Sequence, residues 1–295
     1  MSRFLAETLD VSRLPPFELV PAIYETILAE RLASLKTRLA AAGVDYDVGG
    51  LETDPLAILE QEDAYRELLE RQAINDAGRS LTLAGARGAI LDHLAATLFP
   101  TVGVRRLAGE LDDRFRQRIA LAPEAKSAGT LGGYEYQAMT AHLGVRDALA
   151  LNHASGVVPP GEVRLQIVCE AGAVEADVLA AVRAVVFDRD VALATGVLSV
   201  AAATSQPYDV SAVIEVPRGP DPALVLAEAT ARLTVYADSR RRAGRIVAVS
   251  GLDAALHAPA VERVRRLAPL TDIDPGPDGV AVLGQVNLQV ETPFV

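Results

Sequence analysis

The residues able to carry chemistry are few and scattered. The four histidines, His93, His142, His153 and His257, form no HExxH pair and have no cysteine partner, so the pattern does not supply the converging ligands a zinc site needs. Cys169 is the single cysteine, which excludes an intramolecular disulfide and a thiolate cage and fits a reducing cytoplasm. It reads as a small buried residue at the end of a strand. Acyl transfer would want a GxSxG elbow or a cysteine beside a base, and neither occurs. Gly129, Gly132 and Gly133 do not form GxGxxG after a strand, and no GxxxxGK is present, so phosphates have no cradle. The 39 acidic residues leave room for a carboxylate pair of the glycosidase kind, but no aromatic sugar platform accompanies one. No catalytic residue, cofactor or metal ligand is assigned from the sequence.

Charge narrows the partners. A net charge of −11 is a repulsive background for nucleic acid or an anionic membrane, so neither is expected as a partner. Arg240, Arg241, Arg242 and Arg245 form a basic run at the expected end of a helix, where cations complement the dipole and bond the last carbonyls. The sharper reading of that run is an anchor for an acidic partner surface; the interleaved aromatics that nucleic-acid stacking wants are missing. The opening residues carry Glu7 and Asp10 and lack the apolar core of a secretory signal, and no stretch reaches the roughly 18 apolar residues of a membrane span. A soluble protein without direct membrane insertion is expected.

The elements that must position any site fall into two kinds. At 295 residues two or three domains are expected, and the apolar half of the composition is mostly Ala, Val and Leu, with no Trp. Leu19, Ile23, Ile27, Leu28, Leu32, Leu35 and Leu39 predict a helix over 18–42, broken by Gly43 to Thr53. Asp54 as N-cap and Pro55 at the first position start a second helix, with Ile58, Tyr65, Leu68, Leu69 and Gln72 near one face. Further helices are expected over Leu81 to Leu98, over Asp112 to Leu121 before Pro123, and over Gly132 to Leu143. Ser155, Gly156, Pro159, Pro160 and Gly161 mark a joint.

Beyond that joint the period changes. Val163, Leu165 and Ile167 alternate as a strand, and a helix carries Val174, Val178, Val182 and Val185. Strands follow at 198–202 and 208–216, and Pro222 opens a helix with Leu226, Ala229, Leu233 and Tyr236 inward. The stretch 260–268 suits helix or strand, and after the turn at 274–279 a last strand alternates from Val280 to Val290. The β-α-β-β-α order predicts an α+β protein: a helical N-terminal region, then ferredoxin-like α/β sandwich modules with a mixed or antiparallel sheet. The expected organisation is a helical arm over 1–100, a helical middle region and joint over 101–160, and an α+β module over 161–295.

Three segments in this order resemble the baseplate J-like family of contractile-tailed phages. They are the Pro-started helix DPLAILEQEDAYRELLERQAINDAGRSLTLAGARGAILDHLA at 54–95, the stretch DDRFRQRIALAPEAKSAGTLGGYEYQAMTAHLGVRDALAL at 112–151, and the alternating strands and helices from 163 to the closing GQVNLQV. One departure is Arg189 to Leu193, where relatives often carry an Arg-Pro-Leu-type loop. The resemblance implies a non-enzymatic wedge subunit of a tail baseplate, assembled in the bacterial cytoplasm. Two copies would join an I-like tail protein, and the wedges would surround a spike hub and touch neighbouring wedge and hub proteins. It further implies that Tyr65, Leu68 and Leu69 pack an inter-subunit bundle, and that Asp113, Phe115, Arg116 and Arg118 brace the joint between arm and sheet. Ordinary intrachain core is the alternative role for Tyr65, Leu68, Leu69 and Phe115. A cell-wall hydrolase at a tail tip, working through a carboxylate pair, is the alternative function, and a scaffold unrelated to tails is a third.

Overall fold

The computed structural model describes residues 18–46, 54–126, 129–192 and 196–292; the opening segment, most of the Gly43 to Thr53 break and Leu193 lie outside them. The described residues fall into two compact units, one ending at Arg105 and the other beginning at Arg106.

The first unit is helical. Helix α1 (Tyr24–Ala41) starts six residues later than its apolar spacing predicts. Pro21 lacks an N–H and disfavours a helical Val20, and the N–H groups of Leu19 and Val20 are already taken by Asn75 Oδ1 at 2.8 and 3.0 Å. Helix α2 (Pro55–Ser80) starts where expected. Asp54 Oδ1 accepts from the N–H groups of Leu56 and Ala57 and from the Tyr46 hydroxyl. Helix α3 (Gly88–Leu98) is shorter than the predicted span. At 81–87 Thr82 Oγ1 donates to the Arg79 carbonyl and accepts from Gly85 N–H, a local pattern that competes with helix.

The second unit begins with α4 (Asp112–Leu121), running into a 3-10 turn at Ala122–Glu124 that holds Pro123, and α5 (Leu131–Ala141), capped by Thr130. Strand β1 (Val145–Leu151) was not legible as a strand. Its residues Ala148 to Leu151 are all buried, so no alternation betrays it. It pairs antiparallel with β2 (Glu162–Cys169), and the Ser155 to Gly161 stretch is the connection between them. Helix α6 (Glu175–Val186) returns the chain to β3 (Val197–Ala202), parallel to β2. One residue later the chain enters a second sheet: Ala203 N–H still bonds Ile167 O, and Thr204 N–H bonds Asp278 O.

That sheet has the order β5-β4-β6, formed by β4 (Thr204–Glu215), β5 (Arg263–Ala268) and β6 (Gly279–Glu291). The open question at 260–268 resolves as strand, with Val264 opposite Ile214. Helices α7 (Pro222–Arg240) and α8 (Val249–Leu256) cover one face, where Val210, Ala212 and Ile214 meet Ala229, Leu233, Leu252 and Leu256. A smaller core of Leu149, Leu151, Val168, Ala243 and Val280 joins the two sheets. The fold is α+β, and the β-α-β-β-α order expected of a ferredoxin-like layer is shared between two mixed sheets of three strands each.

Candidate functional site

The densest polar cluster in the second unit is built on α4. Glu110 lies just before the helix with its carboxylate fully buried, and Arg114 and Arg118 follow at spacings of four and eight. Arg118, 1% exposed, donates through Nε and Nη2 to the two Glu110 oxygens at 2.9 and 2.8 Å, and through Nη1 to Thr140 Oγ1 at 3.1 Å. Arg114 also donates to Glu110, and its remaining donors take the carbonyls of Met139, His142 and Val145 at 2.5, 2.9 and 3.2 Å. Burial pulls the Arg114 guanidinium below its ordinary pKa, against the attraction of Glu110. The pair of cations shares one carboxylate, and carbonyls at the end of α5 and the start of β1 supply the remaining acceptors. The arrangement ties α4, α5 and β1 together at fixed geometry.

Phe115, fully buried, has the Arg106 guanidinium 4.7 Å and that of Arg118 5.5 Å from its ring centroid. Asp113 and Arg116, singled out with these two in the sequence, are placed differently. They pair one helical turn apart, with Arg116 Nη1 2.6 Å from Asp113 Oδ1; Asp113 is exposed, while the Arg116 side chain is mostly covered. Glu110 and Arg114 escaped the sequence reading. Their signal was the four-residue spacing Glu110, Arg114, Arg118, which cannot show that the face carrying it is buried.

In the first unit, α1 and α2 pack through a seam of small and polar residues. Ala57, Ala64, Asn75 and Gly78 are the buried positions of α2, and Ile27 that of α1. Arg31 reaches across to Glu60, Asp63 and Glu67 at 2.8, 3.0 and 3.0 Å, and Glu67 also pairs with Arg71. Burial opposes the Arg31 charge, but the Glu67 and Glu60 bonds outweigh it and raise its pKa. The stripe read as apolar in the sequence lies elsewhere on α2. Ile58, Tyr65 and Leu69 are 51%, 54% and 45% exposed, and Leu68 at the margin is half-buried. Helix α2 thus carries two faces, one packed on α1 and one bearing large apolar side chains uncovered within its unit.

Two arginines of the basic run at the end of α7 are engaged within the unit. Arg240 stacks over Tyr236 and Arg241 donates to Cys169 O at 3.0 Å. The last helix carbonyls are met from outside: Arg146 on β1 donates to Asp238 O and Arg241 O and pairs with the Glu170 and Asp238 carboxylates. Among the described residues no group of three or more His, Cys, Asp or Glu side chains could hold a metal ion, and no helix is long and apolar enough to cross a membrane.

The profile of the Baseplate J-like N-terminal domain matches residues 52–110, which run from the start of α2 through α3 to the buried Glu110. Over 282 residues the chain is 32% identical to baseplate protein J of Escherichia phage P2, covering 90% of this chain and 92% of that protein. The chain belongs to the baseplate J-like family. Both features above fall in segments of this baseplate J-like chain that carried the resemblance, the α2 stripe in the first and the arginine brace in the second.

Proposed function

We propose that this chain is a structural subunit of a contractile-tail baseplate, without catalytic activity, whose α2 stripe is its main assembly face. The observation that carries the assembly face is that Ile58, Tyr65 and Leu69 stand exposed on a helix already packed on its opposite side. Large apolar side chains repeated along one exposed helix stripe are what a shared helical bundle buries. Kinship with the phage P2 baseplate protein supports the location, a tail baseplate of a phage or related particle; assembly in the bacterial cytoplasm is part of the same proposal. Within this reading a second copy of the chain and an I-like tail protein share the bundle around Tyr65, Leu68 and Leu69. Neighbouring wedge and hub proteins contact the α+β unit, and Phe115, Arg116 and Arg118 brace that unit with Asp113 on its surface.

The test is coexpression with an I-like tail protein. A stable complex holding two copies of this chain is expected, and Tyr65→Arg with Leu69→Arg should abolish it while leaving the helical circular dichroism of the isolated chain intact. A chain that stays monomeric with no copurifying partner overturns the reading.

A further inference from the structure

We infer that the outer edge of β6 pairs with β6 of a second copy, antiparallel and centred on Leu288, joining two three-stranded sheets into one of six strands. The two edges of the β5-β4-β6 sheet are built differently. Strand β5 carries Arg263, Arg265 and Arg266 over six residues, the kind of charge that keeps an edge from accepting another strand. Strand β6 runs for 13 residues, and from Gln285 to Val290 it contains no charge and no proline.

The backbone of that edge is available. Gln285 N–H goes to Asp209 Oδ1, Asn287 O takes the Ser211 hydroxyl, and Glu291 O takes Val216 N–H, so these odd positions turn toward β4. By the alternation of a strand, Val286, Leu288 and Val290 turn their N–H and C=O groups outward. Among the described residues nothing bonds those groups, and β6 has no strand neighbour but β4.

The occupant follows from the sequence of the edge. Gln285-Val286-Asn287-Leu288-Gln289-Val290-Glu291 is self-complementary about Leu288. Antiparallel pairing through a two-fold axis there sets Val286 opposite Val290 of the second copy, Asn287 opposite Gln289, and Gln285 opposite Glu291. No like charges meet. The outward groups of Val286, Leu288 and Val290 fall at the hydrogen-bonded positions of the new ladder. Their side chains, now only partly buried against the core under α7 and α8, gain apolar neighbours on the same face. Any unrelated strand could use the backbone, but only a second copy is guaranteed to match the side-chain pairs.

Register-specific cross-linking tests this. In full-length Cys169→Ser chains, Asn287→Cys and Gln289→Cys are made separately. Opposed positions at a non-hydrogen-bonded pair lie about 4.5 Å apart at Cα, inside the span of about 4.4–6.8 Å that a disulfide bridges. Mild oxidation should give covalent dimer from the mixture of the two variants and little from either alone. Val290→Pro, which removes an outward N–H but no bond to β4, should abolish that dimer while the thermal transition is retained. Equal cross-linking in the single-variant samples, or none in the mixture, overturns the inference. The Tyr65→Arg, Leu69→Arg chain should cross-link unchanged, so the outcome at β6 is independent of the α2 stripe.

Discussion

Glu110 and Arg118 form a two-bond ion pair inside the second unit, with oxygen to nitrogen distances of 2.9 and 2.8 Å and side chains 0% and 1% exposed. Removing the acid would leave both Arg118 and Arg114 facing a dry interior. Glu110→Ala is therefore expected to lower the stability of the α+β unit by about 3–5 kcal/mol, measured by urea denaturation of the whole chain. A loss below about 1 kcal/mol would place the pair with exposed salt bridges and refute the brace. Adding Arg118→Met should recover part of the loss, because an apolar side chain needs no counter-charge.

The brace shows where sequence reading stops. The Asp54-Pro55 start of α2 and the span of α4 were legible because caps and prolines act through neighbouring backbone groups. Glu110 was not, because its value lies in burial, which depends on α5 and β1 arriving from 20 to 40 residues away. On α2 the large apolar residues suited either an inter-subunit bundle or intrachain core, and hydropathy alone does not separate the two; the packed seam uses Ala57, Ala64, Asn75 and Gly78, which carry little hydropathy signal. A stripe that looks like core and stands uncovered is a feature only the structure can separate from core. Strand β1 was missed for the opposite reason, since a strand buried on both faces loses the alternation by which strands are recognised.

Glu67 makes the helical unit acid-sensitive. Hydrogen bonds from Arg71 and then Arg31 hold its carboxyl below the ordinary glutamate value of about 4.3, although burial acts the other way. A carboxylate depressed in the folded state contributes stability above its unfolded pKa and loses it as pH falls through the folded value. The circular dichroism of the α1–α2 pair should weaken as pH drops below about 4. Glu67→Gln should lower stability near neutrality and flatten that acid limb; an unchanged limb would show that other carboxylates set it.

Tyr208 presents the reverse case at high pH. Its hydroxyl is buried on β4 with no hydrogen-bond partner among the described residues, and burial, aided by the nearby Tyr236, pushes its pKa up to about 12. Between its unfolded value of about 10 and that figure the unfolded chain ionises first, so rising pH removes stability. Tyr208→Phe deletes an unpaired polar group and keeps the ring. It should be neutral or stabilising by about 1 kcal/mol at pH 7 and should reduce the alkaline slope in denaturant titrations. A clear loss of stability at neutral pH would mean that the hydroxyl does have a partner.

The β4–β6 ladder slips between Tyr208 and Val210, and the Asp209 carboxylate fills the irregularity by accepting Gln285 N–H at 2.7 Å. The carboxylate lies so close to Gly284 that a β-carbon there would overlap Asp209 Oδ1. Gly284→Ala must therefore displace the carboxylate and leave the exposed Gln285 amide to water, at a cost of about 0.5–1.5 kcal/mol. Asp209→Ala loses the same bond but makes room for the methyl group. If the two residues act as one device, the double variant should be no less stable than Gly284→Ala alone, giving a coupling of about 0.5–1.5 kcal/mol in a thermodynamic cycle. Additive losses would show that Gly284 serves the bend of the strand by itself. The coupling also bears on the free edge, because the bulge sets which residues of β6 turn outward. A chain that loses the Asp209 bond should lose the register of any pairing centred on Leu288 along with it.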